Sequence, residues 1–195
     1  MNKSALSLEQ MIAWKRQMDS SASLPVFQDP LTGKQYAPKS VTEYAAGFFT
    51  KLKNGQIFES KNTPAVGVRS INGNKLAAET NQLVYQARVL CDTTLIAETE
   101  AALQAAPFAS VAPAYFKNGE VNFTQNAELL RTTGTDIHNA KASTGNDADF
   151  KDVAPFNLRG GVAFQSIFSL AGDATQYHAY KLEWRAIEFV PVENA

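Results

Sequence analysis

The sequence predicts a mainly β protein with attached helices, built as an antiparallel, jelly-roll-like β-sandwich. Three observations predict it. Residues 156–170 and 177–190 alternate apolar and polar side chains over strand-length runs near the end of the chain. Asn-Gly pairs, the usual two-residue hairpin signal, stand at Asn72-Gly73 and Asn118-Gly119 between shorter alternating pieces. No repeat of solenoid or propeller length emerges, so the strands belong to one closed body. At 195 residues the economical division is an N-terminal amphipathic helical arm, 1–23, and a β-sandwich domain, 24–195.

In the arm, Ser7 and Gln10 have capping-box spacing, with Leu6 and Met11 at the hydrophobic-staple positions around them. Leu8, Met11, Ile12, Trp14 and Met18 form the apolar side. That side either packs on its own domain or detaches to lie in a groove of a neighbour, and in the second case these five residues are the inter-subunit contacts. Residues 27–39 carry Asp29-Pro30-Leu31-Thr32-Gly33, the Pro and Gly placement of a turn in a hairpin or ordered loop. Residues 40–53 read as a second helix. Ser40 and Glu43 repeat the capping spacing, Tyr44, Phe48 and Leu52 recur every fourth residue, Val41, Ala45 and Phe49 widen the stripe, and Asn54-Gly55 supplies a stop.

Short strands are expected at 56–59 and 65–71, the latter turning at Asn72-Gly73 into 75–79. Residues 81–96 fit either period, but Val, Tyr, Thr and Ile favour a strand with Leu83, Tyr85, Ala87, Val89 and Cys91 on one face. An Ala-rich helix at 97–106 closes at Pro107, and 111–123 reads as a hairpin about Lys117-Asn118-Gly119. The polar stretch 131–152 reads as a long loop, of the kind that is functional or disordered. The two closing strands are expected to pair antiparallel through the 171–176 loop. Ile187 and Phe189 fall on the wrong parity, so either a bulge resets that strand or both faces of its end are covered.

Chemistry is hard to find. The catalytic, nucleotide and metal motifs sought are missing, so the chain reads as no enzyme, with no cofactor and no metal site. His138, in an Asp136-x-His138 pair, lies in the polar stretch and reads as solvated. His178 shares the parity of Tyr180, Leu182 and Trp184, which points to a partly buried imidazole bonded to backbone. Asn146-Asp147-Ala148-Asp149 with Asp152 imitates the start of a calcium loop but lacks its glycine and closing glutamate. Cys91, the single cysteine, reads as an inert core thiol and excludes an internal disulfide, as suits a protein made in the cytoplasm. Arg159-Gly160-Gly161 suggests a bulge or a close backbone approach. The sequon Asn122-Phe123-Thr124 has meaning only in a secreted chain, and neither a signal peptide nor a membrane span is visible. Tyr177, Tyr180 and Trp184 suit a core face better than a sugar-stacking platform.

Net charge −1 and pI near 6.1 leave no basic footprint, and Lys34, Lys39, Lys51 and Lys53 are too spread out for a phosphate track, so strong nucleic-acid binding is not expected. The charged share, 19%, lies below the roughly 25% of ordinary domains, a depletion shared with protein–protein contact areas.

Helical arm, short strands, one long polar loop and closing strands together resemble the single jelly-roll coat proteins of icosahedral viruses and phages. Phe156-Asn157-Leu158-Arg159-Gly160-Gly161-Val162-Ala163-Phe164 and Lys181-Leu182-Glu183-Trp184-Arg185-Ala186-Ile187-Glu188-Phe189 carry the resemblance. It implies a capsid protein that self-assembles as a homo-oligomer, contacts other virion proteins and resides in the virion. The sequence departs from that pattern in its two inserted helices and in lacking a basic arm. The alternative expectation is a carbohydrate- or surface-binding adhesin module with exposed aromatics such as Tyr177 or Trp184.

Overall fold

The computed structural model describes residues 6–21, 25–94, 97–138, 150–174 and 178–192. Among these residues strand, at 44%, outweighs helix, at 19%, and the strands form two antiparallel sheets, a β-sandwich with attached helices.

The larger sheet has the order β1-β2-β8-β3-β6, from β1 (Phe27–Gln28), β2 (Gln35–Phe48), β8 (Ala179–Pro191), β3 (Asn81–Asp92) and β6 (Lys151–Arg159). The smaller has the order β5-β4-β7, from β5 (Glu128–Thr133), β4 (Glu120–Thr124) and β7 (Gln165–Ser169). A single bridge, Gln56 to Ile167, adds residue 56 beside β7, reinforced by Ile57 N–H donating to Ser166 O at 2.9 Å. Leaving β1 aside and counting the 56 segment as the second strand, the first pairs the eighth, the second the seventh, the third the sixth and the fourth the fifth. That nesting is one long hairpin rolled on itself, the jelly-roll arrangement.

Between the sheets Trp184 is completely buried, edge-on to Phe58, Phe123 and Phe164 at 5.6–6.2 Å. Phe49, Phe116, Phe168 and Tyr180 close the same core farther along. The outer face of the large sheet is covered at both ends. Helix α1 (Leu8–Asp19) buries Met11 there and stacks Trp14 on Phe27 at 4.9 Å, over Leu83, Ile187 and Phe189. Its capping box between Ser7 and Gln10 is formed, and Leu6 is buried with Met11. At the other end, α2 (Glu100–Ala105), capped by Thr99, covers Ala46, Phe48 and Leu90 with Leu103, and Phe108 after the helix joins the cluster.

Several expectations are corrected. Residues 40–53 are no helix: they continue β2 as far as Phe48 and then make a 3-10 turn, Phe49–Lys51. A fourfold spacing is also an even spacing, so the stripe that suits a helix equally places Tyr44 and Phe48 on one strand face and Val41 and Ala45 on the other. Asn54-Gly55 is a turn with both φ values positive, 52° and 72°, rather than a helix cap. Residues 56–59 and 65–71 contribute isolated bridges only, and Asn72-Gly73 joins no strand pair. Before Asn118-Gly119 the chain forms α3 (Ala114–Lys117) in place of a strand. The polar stretch is shorter than expected, because β5 runs to Thr133 and α4 (Gly134–Ile137) follows; residues 139–149, including 146–149 of the calcium-like run, lie outside the described residues.

The closing strands do not pair with each other. The chain breaks at Gly160-Gly161, so β6 joins β3 in one sheet and β7 joins β4 in the other, while β8 runs between β2 and β3. On β8, Tyr180, Leu182, Trp184 and Ala186 face the inter-sheet core and Ile187 and Phe189 face α1, so both faces of its end are covered. The bulge lies on β3: the register passes from Val84↔Ala186 to Gln86↔Arg185. It sends Leu83 and Tyr85 toward α1 but Ala87, Val89 and Cys91 into the inter-sheet core, so the single face expected for these five is divided.

Candidate functional site

The most concentrated polar chemistry lies inside the sandwich. Gln82, completely buried, donates through Nε2 to Glu43 Oε1 and Glu188 Oε2, each at 3.0 Å, and accepts the Trp184 indole N–H at 3.3 Å. Ser70 Oγ closes the other side of Glu43 at 2.5 Å. Gln82 lies directly across from Glu188 and Glu43 across from Trp184, with Ala186 in the row between, so a methyl group leaves the space over which the amide reaches β2. Two carboxylates on one amide resemble an acid/base pair in composition. The amide, however, occupies the place where a substrate atom would sit, so this geometry clamps β2, β8 and β3 together.

A second group gathers where β3 ends and β8 begins. His178, 9% exposed, has Nδ1 3.1 Å from the Tyr115 hydroxyl with the rings stacked 12° from parallel. Its ring partner is thus a phenol rather than the expected backbone group. Burial pushes Tyr115 up to about 12. Asp92, completely buried, accepts from Thr94 through Oδ1, while its Oδ2 has no hydrogen-bond partner among the described residues. Cys91, adjacent and buried, is raised well above the ordinary thiol range by burial, which makes it inert as expected.

His138 is not solvated. Its Nε2 accepts from Ala112 N–H at 3.0 Å, which leaves Nδ1 as donor to Val89 O at 3.1 Å, so the neutral ring joins two segments. Asp136 instead bonds Thr133 at the cap of α4. Burial lowers both histidines below their ordinary value; the Val89 carbonyl opposes this at His138 and the Asp92 carboxylate at His178. The unfolded chain therefore takes up protons first as pH falls. Stability is undiminished above the ordinary imidazole pKa of about 6.5 and declines below it, by at most about 1.4 kcal/mol per pH unit for each histidine. Urea midpoints are expected to fall between pH 6.5 and 5 and to fall less steeply in His138→Gln. A midpoint constant over that range contradicts the assignment.

On the outer face, between α1 and α2, the Arg88 and Arg185 guanidinium groups lie over the Phe150 ring, 4.2 and 4.3 Å from its centroid. Glu183 accepts from Arg88 at 2.7 Å and Lys181 at 2.9 Å. Of the four lysines at 34, 39, 51 and 53, Lys34 pairs Glu79 and Lys51 pairs Glu98. Among the described residues no group of three metal-ligating side chains occurs, and no helix is long and apolar enough to cross a membrane.

Among the described residues, shallow depressions of about 230 Å³ and about 440 Å³ lie beside Tyr180, Arg69 and Glu98 and along Gln125, Asn126 and Gln165. Exposed large apolar side chains occur singly at Val66 and Val111 and near the β1–β2 hairpin. Val26 (57% exposed), Leu31 (81%), Val190 and Val192 flank the β1–β2 hairpin. Leu8 joins them at the start of α1, two residues from Gln10, whose side chain reaches Asp29 of the hairpin turn at 3.2 Å. Burial raises the Asp29 carboxyl, but bonds from Thr32, Leu31 N–H and Gln10 outweigh it and hold the acid ionised, which fixes the turn carrying Leu31. Of the five arm residues, Met11 is wholly buried on the chain's own sheet, Ile12, Trp14 and Met18 partly so, and only Leu8 is exposed. Trp184 lies in the core, and Tyr177 lies outside the described residues.

Sequence reasoning missed Glu43, Ser70, Gln82, Asp92 and Tyr115. A usable signal existed for two of them: Glu43 shares the parity of Val41 and Ala45, and Gln82 that of Val84, so each is a polar residue at a core position. Comparison of the chain with family models, curated proteins and solved structures gives no match.

Proposed function

We propose that the chain is a self-assembling structural subunit, of the virion-coat kind that its closing strands resemble. The observation that carries this reading is the exposure of Val26 and Leu31 at the β1–β2 hairpin, of Val190 and Val192 at the end of β8 beside it, and of Leu8 at the start of α1. Exposed apolar side chains gathered in this way mark a contact surface. The aromatic packing of the interior supports it too, since Trp184 and its neighbours fill the space in which other rolled β folds hold a ligand, and leave the outer surfaces for function. Jelly-roll architecture serves coats and lectins alike, so the fold alone does not choose between them.

Light scattering on the full chain over a range of concentrations tests the reading. A mass of several subunits, reduced in Leu31→Glu, is the expected result; Leu31 is exposed enough for this change to spare the fold. A one-chain mass at every concentration, with retention on a glycan resin, overturns it in favour of the adhesin.

A further inference from the structure

Tyr180 on β8 lies directly opposite Gly47 on β2, and the missing side chain there lets the phenol lie across the glycine. A Cβ on Gly47 would come 2.6 Å from the Tyr180 hydroxyl oxygen and 2.9 Å from the ring carbon that bears it. The ring packs against Phe49 and Phe168 in the core, and only 4% of the residue's surface is exposed. Burial pushes the phenol well above its ordinary range, with Arg69 and Glu59 near enough to act on it in opposite senses. A buried tyrosine hydroxyl ordinarily finds a partner. This one has none among the described residues, and it lies where Tyr180 and Gly47 line the depression of about 230 Å³.

Two backbone groups join it. Tyr44 N–H donates to Ser70 Oγ at 2.8 Å and Ala46 N–H to Val68 O at 2.6 Å, both away from β8, so alternation turns the Ala46 carbonyl and the Phe48 N–H the same way. Neither has a partner among the described residues, and both residues line the depression. So do Gln56 and Asn62, whose side-chain amides are likewise uncommitted. The charged groups around them are already engaged. Lys51 pairs Glu98 at 2.8 Å, Lys61 pairs Glu59 at 3.1 Å, and Arg69 donates to Thr63 O at 3.1 Å with Glu100 at 3.9 Å.

We propose that this depression binds a small neutral polyhydroxyl ligand, a single sugar ring. The proposal goes beyond the assembly reading and does not rest on it, since a multimer and a single chain present the same site. Its volume lies below the roughly 300–1,000 Å³ of pockets for drug-sized ligands, which leaves room for one ring. Every sugar hydroxyl both donates and accepts, and the free groups here are a phenol, a carbonyl, a backbone N–H and two carboxamides, so donors and acceptors are both on offer. Leu52, Phe58 and Leu103 line the same space and supply apolar surface for the C–H bonds of the ring. A charged ligand would have to draw Lys51, Arg69 or a glutamate out of an existing pair, whereas a neutral one uses only groups that the fold leaves free.

Nitrogen-15 NMR of the full chain with glucose, galactose, mannose and N-acetylglucosamine, each to about 50 mM, tests the site at the millimolar affinity within reach of so small a ligand. Saturable shifts at the Gly47 and Phe48 amides and at the side-chain amides of Gln56 and Asn62 are expected with at least one of the four. Tyr180→Phe is expected to weaken that binding about threefold to tenfold, the effect of one hydrogen bond, while its urea midpoint stays level or rises, because the hydroxyl removed bonds nothing in the fold. Should Tyr180→Phe not fold, Asn62→Ala takes its place. Four results each overturn the proposal: no saturable shift from any neutral sugar, shifts confined to residues away from the depression, unchanged affinity in the variant, or glucuronate or glucosamine bound as tightly as the best neutral sugar. Subunit mass bears on the assembly reading alone.

Discussion

Replacing Trp184 with alanine is expected to destabilise the protein by about 3–5 kcal/mol, against a total of about 5–15 kcal/mol for an ordinary domain. Two losses combine. The indole is completely buried among Phe58, Phe123 and Phe164, which come from the 56 segment, β4 and the loop before β7, so the cavity opens where both sheets meet and no single element can collapse into it. Its N–H also satisfies Gln82 Oε1, and without it that oxygen is buried without a donor while Nε2 remains bound to two carboxylates. Trp184→Phe separates the terms: it keeps most of the packing, orphans Gln82 Oε1, and is expected to cost about 1–3 kcal/mol. Urea unfolding followed by circular dichroism measures both. A loss below about 1 kcal/mol for the alanine variant would mean that the inter-sheet core is not organised around this residue.

How much of this was legible in the sequence depends on which period each segment carries. The face of β8 was legible because Tyr180, Leu182, Trp184 and Ala186 alternate without exception, and α1 because a capping box and a staple coincide at one spot. Segment 40–53 was not, since spacings of four belong to both periods. The closing strands were legible but their partners were not: β6 and β7 adjoin in sequence yet lie in opposite sheets, and what separates them, the break at Gly160-Gly161, is a matter of backbone space rather than of pattern. The Glu43–Gln82–Glu188 clamp was hidden for a similar reason, because it depends on the small side chain of Ala186 between strands far apart in sequence. The β-bulge at Tyr85 divided a face that alternation alone makes continuous.

The two adjacent glycines at that break provide a sharper test, because their constraints differ in kind. A Cβ on Gly160 would lie 2.2 Å from Ala77 O and 2.3 Å from Thr80 O, both backbone atoms that cannot rotate away. Those carbonyls belong to the segment leading into β3, and Gly161 N–H donates to Leu76 O beside them at 3.1 Å, so the end of β6 is held against them. Gly161 is the reverse case: its φ of +73° favours glycine, but a Cβ there meets nothing nearer than Ala78 Cα at 3.8 Å. Gly161→Ala is therefore expected to cost about 1 kcal/mol from the left-handed backbone alone. Gly160→Ala is expected to cost about 3 kcal/mol, the upper end for overpacking, since β6 must retreat from the start of β3 to admit one methyl group. Calorimetry on the two variants ranks them. An equal or smaller loss at 160 than at 161 would refute the close approach and leave backbone conformation as the reason for the pair.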